Sequence, residues 1–218
     1  MIVLRRAGAG FEVFFVRRHR GASFMASSYV FPGGGAEPGE DTRTTAAREL
    51  QEEAAVAIEP EALVPWSHWI TPSIEPKRFS AHFFVAELPA GQEPHFDQTE
   101  TVDQVWLTPH DAIERGAELQ LPPPQLRTCW ELGQHATIEE VLAAGRARAA
   151  EPHPIMPRLA VAERPCLLLP WDAEYTTSGT GDATPMLDRP SWARGPSRFV
   201  MEDRRWKHVE GPGSTTAG

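Results

Sequence analysis

The stretch that decides the fold is FPGGGAEPGEDTRTTAARELQEEAAV, residues Phe31–Val56. In it a glycine-rich loop, residues 33–35, leads into a run of mostly good helix formers over residues 43–54. Asp41 or Thr42 can cap the start of this helix, because a short side-chain oxygen accepts hydrogen bonds from the free backbone N–H groups. The stretch therefore predicts a glycine-rich loop followed directly by a capped helix.

The predicted helix has two unlike faces. Apolar residues spaced i, i+3 and i+7 lie on one stripe, where they should pack on a core: Ala47, Leu50 and Ala54. Carboxylates spaced i, i+3 and i+4 lie together on another side: Glu49, Glu52 and Glu53. Like charges at these spacings repel, and a divalent cation held among hard oxygen ligands would offset the repulsion. Such ligands suit magnesium or manganese rather than zinc. The alternative is a solvated surface helix, since R-E-L-Q-E-E alone occurs on many helices.

The full spacing of the stretch favours the first interpretation. Five residues separate Gly34 from Glu40, and seven more precede the run R-E-L-Q-E-E-A-A-V that begins at Arg48. This resembles the Nudix box, G-x5-E-x7-R-E-U-x-E-E-x-G-U, in which U is a bulky aliphatic residue. Every charged position of that pattern is present, and one position departs, because Ala55 replaces the last glycine. Alanine costs about 1 kcal/mol in the left-handed conformation that ends a helix. The departure therefore bears on the geometry of this turn more than on the metal site.

The resemblance to Nudix proteins implies an α/β fold: an α/β/α sandwich, with a mixed sheet between helices and a loop–helix–loop catalytic motif. The reaction it implies is hydrolysis of a nucleoside diphosphate linked to another moiety, with Mg²⁺ or Mn²⁺ as the cofactor. The implied metal ligands are the carboxylates of Glu49, Glu52 and Glu53 and the backbone carbonyl of Gly33.

The resemblance also implies roles for the neighbouring residues. Arg48 and Glu40 would orient the carboxylates and fix the loop, with Gly34 as a further structural residue of the loop. Glu49 is a metal ligand or the general base. Glu100 is the second candidate for the base, because it resembles the carboxylate that many Nudix enzymes bring in from a loop before a tryptophan-containing strand. A solvated acid in an acidic loop is the alternative for Glu100.

A second resemblance narrows the substrate. Residues 17–35, RRHRGASFMASSYVFPGGG, are similar to the Nudix subfamily of the peroxisomal coenzyme A diphosphatase of animals and its bacterial relatives, in R-R-H, the Phe-Met pair and V-F-P-G-G. Later segments fit the same subfamily: WITP (69–72), PKRF (76–79), VWLTP (105–109) and LPW (169–171). The L-T-x-R-S signature of the other coenzyme A-hydrolysing group is absent, as is the long insertion that relatives carry near the box.

Coenzyme A or acyl-coenzyme A is therefore the expected substrate, cleaved to phosphopantetheine and adenosine 3′,5′-bisphosphate. The box does not select the leaving group, so ADP-ribose or a nicotinamide dinucleotide is an alternative. A catalytically silent Nudix ligand sensor is another, and the intact acidic positions speak against it because a sensor need not retain a repulsive carboxylate cluster.

Cationic residues that could bind the phosphates of the substrate fall into two groups. Arg17, Arg18 and Arg20 follow the second expected strand, and Lys77 and Arg78 border a later loop. For both groups simple solvation is an equally good interpretation. His82 is expected on a strand face, since no second histidine lies at metal-ligand spacing.

Composition excludes several other classes of protein. The chain has 218 residues, 41% of them hydrophobic and 23% charged, as in an ordinary globular protein. A net charge of −9 argues against a nucleic-acid or anionic-membrane surface. Cys129 and Cys166 are expected to be buried and unpaired, as in a reducing compartment. Without an apolar run long enough to span a bilayer or a signal-peptide pattern, a cytoplasmic location is expected. A homodimer is considered as the assembly, but the sequence does not decide it.

Three regions are expected along the chain: a Nudix domain over 1–150, a C-terminal extension packed on it over 151–210, and a disordered tail over 211–218. Strands are expected at residues 2–5, 11–17, 29–31, 65–71, 78–87 and 102–107, and helices at 43–54, 109–117, 122–132 and 137–150. In the proline-rich extension, Trp171, Tyr175 and Trp206 are expected to pack on the domain, with stacking on an adenine as the alternative.

Overall fold

The computed structural model describes residues 1–21, 25–161, 164–186 and 188–209. Its strands are β1 (Ile2–Ala7), β2 (Gly10–Arg18), β3 (Tyr29–Val30), β4 (Val64–Ile70), β5 (Ser80–Glu87), β6 (Thr101–Leu107), β7 (Pro154–Ile155), β8 (Arg158–Val161), β9 (Pro165–Leu168), β10 (Arg198–Glu202) and β11 (Arg205–Val209). Its helices are α1 (Thr42–Ala54), α2 (Pro109–Glu114), α3 (Pro123–Leu132), α4 (Ile138–Ala149) and the single turn α5 (Tyr175–Ser178). The predicted tail at 211–218 lies outside the described residues.

Seven strands form a mixed sheet in the order β3-β2-β1-β5-β4-β7, with β6 also paired to β2. The β1–β5 and β4–β7 pairs are parallel, whereas β1–β2, β2–β3, β2–β6 and β4–β5 are antiparallel. Pro65 lies in second position in β4, next to a bulge that shifts the register between Pro65 and Ser67. Because proline cannot donate to the ladder, this irregularity is where a strand tolerates it.

Helices cover both faces of this sheet. Phe14 and Phe15 are neighbours in β2 but belong to different buried clusters, because successive side chains of a strand point to opposite faces. Leu50 of α1 packs in the cluster of Phe14, and Leu126 of α3 and Val141 of α4 pack in that of Phe15. The result is the α/β/α sandwich that the sequence predicts.

The C-terminal residues form a second sheet that the sequence analysis did not predict. Four antiparallel strands lie in the order β11-β10-β9-β8. Trp171 and Phe199 belong to the same buried cluster as the residues under α3 and α4, and Trp206 packs against it. Tyr175 is 1% exposed and donates its hydroxyl proton to the carbonyl of Met156. Trp171 and Trp206 thus pack on the domain as expected, whereas Tyr175 packs within the extension, in the cluster of Cys166 and Leu168. The boundary at residue 150 stays a prediction, and β7 beyond it pairs with β4 of the first sheet.

The elements begin and end close to their expected positions, with one clear difference. Helix α2 ends at Glu114 rather than at residue 117, and its cap residue is Arg115. Gly116 follows at once, where an added Cβ would lie 2.7 Å from a Leu126 methyl group and 3.1 Å from the carbonyl oxygen of Ile113. Both cysteines are buried and free, as expected. Within the described part of the chain no helix has the length and apolar character needed to cross a bilayer.

Candidate active site

Helix α1 is closed at both ends by local hydrogen bonds. Asp41 is the N-cap, and its carboxylate accepts from the N–H groups of Arg43 and Thr44 at 2.9 Å each. At the other end Ala55 takes the left-handed conformation, with φ 55°, and donates its N–H to the carbonyl of Gln51 at 3.1 Å. Alanine at this position therefore makes the turn that a glycine would make, at a cost of about 1 kcal/mol.

Arg48 is the centre of the acidic face. Its guanidinium binds the Glu40 carboxylate through Nε (2.9 Å) and Nη2 (3.1 Å), an arrangement that fixes the plane of both groups. Its Nη1 donates to both Glu49 Oε1 and Glu52 Oε2 at 2.9 Å, and Nη2 also reaches the carbonyl of Gly35. These hydrogen bonds are those expected of residues that orient the carboxylates and fix the loop.

Glu40 anchors the loop from the other side. It accepts from the N–H of Glu37 and from the hydroxyl of Thr45, both at 3.0 Å. The hydrogen bonds from Arg48, followed by that from the Glu37 N–H, lower the pKa of Glu40 to about 2. Glu40 is therefore ionised at neutral pH and links the loop to the helix, and its carboxylate oxygens are hydrogen-bonded within the protein.

Two of the three helix carboxylates face the glycine-rich loop. Glu53 is 5% exposed and accepts from the N–H of Gly33 at 2.8 Å, where Gly33 has φ 151°. A Cβ added to Gly34 would lie 2.4 Å from Glu49 Oε2, so only glycine fits beside this carboxylate as it stands. Glu52 differs, because its side chain is 58% exposed and points to Arg48.

The two inward carboxylates are poorly compensated. Burial raises the pKa of Glu53 to about 7, although the Gly33 N–H and the charge of Arg18 act against the rise. Burial also raises the pKa of Glu49 above its ordinary value, opposed by Arg48 and assisted by the charges of Glu52 and Glu100. Carboxylates desolvated in this way without enough cationic neighbours are characteristic of functional sites.

The donor set fits a hard divalent cation. Among the described residues, Glu49 Oε2 and Glu53 Oε1 accept no hydrogen bond, so each carboxylate keeps one oxygen for a ligand. No group of three acidic, histidine or cysteine side chains within the described ranges converges tightly enough to hold a metal ion as it stands. The structure therefore brings Glu49 and Glu53 together at Gly33 and Gly34, whereas Glu52 lies on the solvent side.

Glu100 is carried by a loop that Asp97 organises. The Asp97 carboxylate accepts from the N–H groups of Glu100 (3.0 Å) and Thr101 (2.9 Å) and from the Thr101 hydroxyl (2.7 Å). The Glu100 carbonyl accepts from the N–H of His19, which ties the loop to the end of β2. Sequence analysis missed the role of Asp97, although an aspartate three residues before an exposed N–H is a signal for such a turn.

The first cationic group lies partly at this site. The charge of Arg18 acts to lower the pKa of Glu53. The Nε atom of Arg18 is buried without a hydrogen-bond partner in the described part of the protein. Arg17 instead contacts the Tyr29 ring at 5.9 Å and the Ser27 carbonyl at 3.4 Å. Arg20 is exposed. Of the three, Arg18 is the one whose charge the structure places close to the carboxylates.

The second cationic group makes other contacts. The Lys77 ammonium lies 5.2 Å from the centre of the Phe79 ring. Arg78 donates to the carbonyl of Thr71 at 3.2 Å and contacts the sulfur of Met156 at 3.5 Å. Neither side chain contacts the acidic face in the described structure, so a role in substrate binding stays a prediction for both.

Relatives in sequence point to the same family. A model of the NUDIX domain matches residues 1–127. Acyl-coenzyme A diphosphatase NUDT19 of Xenopus laevis is 33% identical over 86 residues, which cover 37% of this chain and 23% of the frog protein. Putative nudix hydrolase 7 of Caenorhabditis elegans is 26% identical over 167 residues, 56% of each chain. Acyl-coenzyme A diphosphatase NUDT19 of Homo sapiens is 32% identical over 94 residues, 41% of this chain and 25% of the human protein. The chain thus spans between about a quarter and about half of the length of these relatives.

A solved structure supports the fold independently. The crystal structure of a NUDIX hydrolase from Alicyclobacillus acidocaldarius superposes with a TM-score of 0.58 at 21% identity, covering 65% of this chain and 92% of that one. At this identity the likeness concerns the fold alone. Since the family model matches more than half of the 218 residues, the chain belongs to the NUDIX domain family.

Proposed function

We propose that the protein is a metal-dependent hydrolase that cleaves the diphosphate bond of a nucleoside diphosphate linked to another moiety. The observation that carries this proposal is the pair of carboxylates from Glu49 and Glu53, which are held against Gly33 and Gly34, and one oxygen of each has no partner among the described residues. A site that only stabilised the helix would have no reason to bury two repelling carboxylates beside a glycine-rich loop.

The proposed cofactor is Mg²⁺ or Mn²⁺, with Glu49 and Glu53 as ligands and Glu52 and the Gly33 carbonyl as further ones. When bound, such an ion neutralises diphosphate oxygens and lowers the pKa of a water molecule. The protein supplies the positions of the ligands, because Arg48 and Glu40 hold the helix and loop together.

The proton of the attacking water needs an acceptor. Glu49 and Glu100 are the two candidates, and the charge of Glu100 acts on the pKa of Glu49, so the two carboxylates lie within electrostatic range of each other. Arg18 is the cation best placed to offset charge on the departing phosphate, since its charge acts on Glu53.

Coenzyme A or acyl-coenzyme A is the proposed substrate. The support is the R-R-H, Phe-Met and V-F-P-G-G segments, together with the frog and human relatives that are named acyl-coenzyme A diphosphatases. Because those matches cover about two fifths of this chain, the substrate needs a direct test. The cytoplasmic location and the homodimer stay predictions.

The test is a panel of hydrolysis assays on the purified protein with Mg²⁺ or Mn²⁺, with products identified by mass. The panel contains coenzyme A, acetyl- and longer acyl-coenzyme A, ADP-ribose, NADH and diadenosine polyphosphates. We expect release of adenosine 3′,5′-bisphosphate at a much higher kcat/KM than any other hydrolysis. AMP from ADP-ribose or NADH as the main product would contradict the substrate and keep the reaction. Binding of one compound without turnover of any would indicate a ligand sensor.

A further inference from the structure

Two histidines form a stacked pair on the first sheet. His68 of β4 and His82 of β5 are direct partners in the antiparallel register. Their ring centres are 4.0 Å apart and their planes differ by 12°, so the imidazoles are stacked face to face. His82 is exposed and His68 is half-buried. The pair therefore presents a flat aromatic surface to solvent.

The pair lies on the same face of the sheet as the catalytic helix. Phe84 packs in the cluster of Leu50 from α1, and His82 precedes it by two residues, so both side chains point to that face. On the opposite face Phe83, the neighbour of His82, contacts the ring of Phe31 with ring centres 6.1 Å apart. Only Pro32 separates Phe31 from the glycine-rich loop. The part of β5 that holds Phe83 and its neighbour His82 therefore lies next to this loop.

The chemistry of the pair suits a planar heteroaromatic ligand. Ser80 Oγ lies 2.8 Å from His68 Nε2 and holds this ring in place. The ring nitrogens of His82 have no hydrogen-bond partner within the described ranges. Burial lowers the pKa of both rings, and for His68 the neighbouring His82 lowers it further, which favours the neutral form of both imidazoles. A neutral imidazole offers a π-face together with one donor and one acceptor nitrogen.

A small cavity lies beside the pair at the edge of the sheet. Both histidines line a cavity of about 180 Å³ at the β4 edge, which Ser67 and His153 also border. Ser67 pairs with Phe83, so its side chain points to the other face of the sheet, and the groups that face a ligand on the side of α1 are the two imidazoles.

We propose that the stacked pair of His68 and His82 is the surface on which the nucleobase of the substrate stacks. This inference rests on the proposed function, because it places the base beside the loop at which the diphosphate lies. A base stacks on any flat aromatic ring, and loss of such a ring weakens binding of a base by about 5- to 150-fold.

The test uses AMP as a probe and ribose 5-phosphate as the matched probe without a base. Their affinities are measured by calorimetry for the wild type and for His82→Ala, His82→Phe and the control His110→Ala, an exposed histidine on α2. We expect His82→Ala to weaken AMP binding about tenfold, His82→Phe to restore it to within about threefold, and ribose 5-phosphate binding to stay unchanged. In hydrolysis, His82→Ala should raise KM and leave kcat within about twofold.

Equal AMP affinity in the wild type and His82→Ala would overturn the inference, as would a loss in His82→Phe as large as that in His82→Ala. A wild type that binds ribose 5-phosphate as tightly as AMP would also overturn it. The proposed function can fail separately. If no diphosphate is hydrolysed but AMP binding depends on the ring at position 82, the base-binding surface stands without the reaction.

Discussion

The protein contains two networks of arginine and glutamate that differ in their balance of charge and in their burial. On α1 a single guanidinium, that of Arg48, is shared by Glu40, Glu49 and Glu52, with Glu53 beside them. Under α3 and α4 a single carboxylate, that of Glu131, is shared by Arg127 and Arg148. The first network has an excess of negative charge, and the second an excess of positive charge.

The buried network is fully satisfied. Arg127 and Glu131 have side chains exposed to 1% and 3%, and Arg127 Nε lies 2.8 Å from Glu131 Oε1. Glu131 Oε2 accepts from Arg148 at 2.8 Å and from the Trp66 indole at 3.0 Å. Carbonyls of the C-terminal region accept from Arg127, and tryptophan rings flank both arginines: Trp66, Trp130, Trp171 and Trp192.

The contrast teaches how to separate a site from a structural support. Around Glu131 every carboxylate oxygen is used, which is what a buried ion pair needs to be tolerated. On α1, Glu49 and Glu53 each keep an oxygen without a partner in the described structure while burial raises the pKa of both. Unused ligand atoms together with uncompensated charge are the reason why we propose the first network as the functional one.

The largest expected effect is on catalysis at Glu53. The isosteric change Glu53→Gln keeps an acceptor for the Gly33 N–H but removes the charge, so kcat should fall by about 1,000-fold. The melting temperature should stay within a few degrees of the wild-type value. Steady-state kinetics with Mg²⁺ measure the effect, and Glu61→Gln, an exposed glutamate outside α1, is the control. Unchanged turnover in Glu53→Gln would remove Glu53 from the proposed metal site.

The corresponding change in the buried network should act on stability alone. Glu131→Gln leaves two guanidinium groups without a counter-charge, which costs about 3–5 kcal/mol of unfolding free energy. Urea denaturation measures the loss, and kcat per folded molecule should be preserved. The control is Glu118→Gln, which breaks an exposed pair with Arg115 and should hardly change stability. A stable Glu131→Gln variant with low kcat would contradict the comparison, because Glu131 would then serve activity rather than stability.

Gly34 tests the geometry between loop and helix. A Cβ in Gly34→Ala would lie 2.4 Å from Glu49 Oε2 and must displace that carboxylate. Because misplacement of a reacting group by about 1 Å lowers rates by about 100-fold, kcat should fall by this order. Gly35→Ala is the matched control, since nothing lies within 4 Å of the Cβ it would add. Equal activities of the two variants would show that the position of Glu49 beside Gly34 does not matter.

The buried network should also make the stability of the protein depend on pH in the acid range. Burial alone would raise the pKa of Glu131, but the charges of Arg127 and Arg148 outweigh burial and lower this pKa below its ordinary value. A carboxyl with a lower pKa in the folded state stabilises the fold above its unfolded pKa, about 4.3, and this stabilisation is lost as pH falls through the folded pKa. The difference in unfolding free energy between the wild type and Glu131→Gln should therefore be largest at neutral pH and shrink below about pH 4. A difference that stays constant to low pH would contradict the assignment.

The smallest effect concerns the end of α1. Ala55 has φ 55°, so Ala55→Gly should raise the unfolding free energy by about 0.5–1 kcal/mol by removing the left-handed strain. Ala57, an exposed residue of the following loop, lacks a positive φ, and Ala57→Gly should lower stability by a similar amount. Thermal or urea unfolding distinguishes the two signs.

Much of the catalytic region follows from the sequence because its contacts are local. The spacing of Glu49, Glu52 and Glu53 predicts one helix face, and the cap at Asp41 and the support by Arg48 and Glu40 all lie within a few turns of the same helix. What spacing alone does not reveal is that Glu52 turns to solvent while Glu49 and Glu53 face the loop.

Other features depend on long-range pairing that no local pattern encodes. Glu131 meets Arg127 within α3 but Arg148 only through the packing of α4. The C-terminal sheet is made of strands of four or five residues, and its β9–β10 pair joins strands that are 29 residues apart in sequence, from 169 to 197. The stacking of His68 on His82 requires the register after the bulge at Pro65, which becomes visible only when β4 and β5 are paired.

The most direct test of the central claim is hydrolysis of coenzyme A by the wild type and Glu53→Gln, each with Mg²⁺ and with a chelator, with products identified by mass. We predict release of adenosine 3′,5′-bisphosphate and phosphopantetheine by the wild type with Mg²⁺ and almost none in the other three reactions. Turnover by the wild type that is unaffected by the chelator, or by Glu53→Gln at the wild-type rate, would contradict a metal-dependent site on the acidic face of α1.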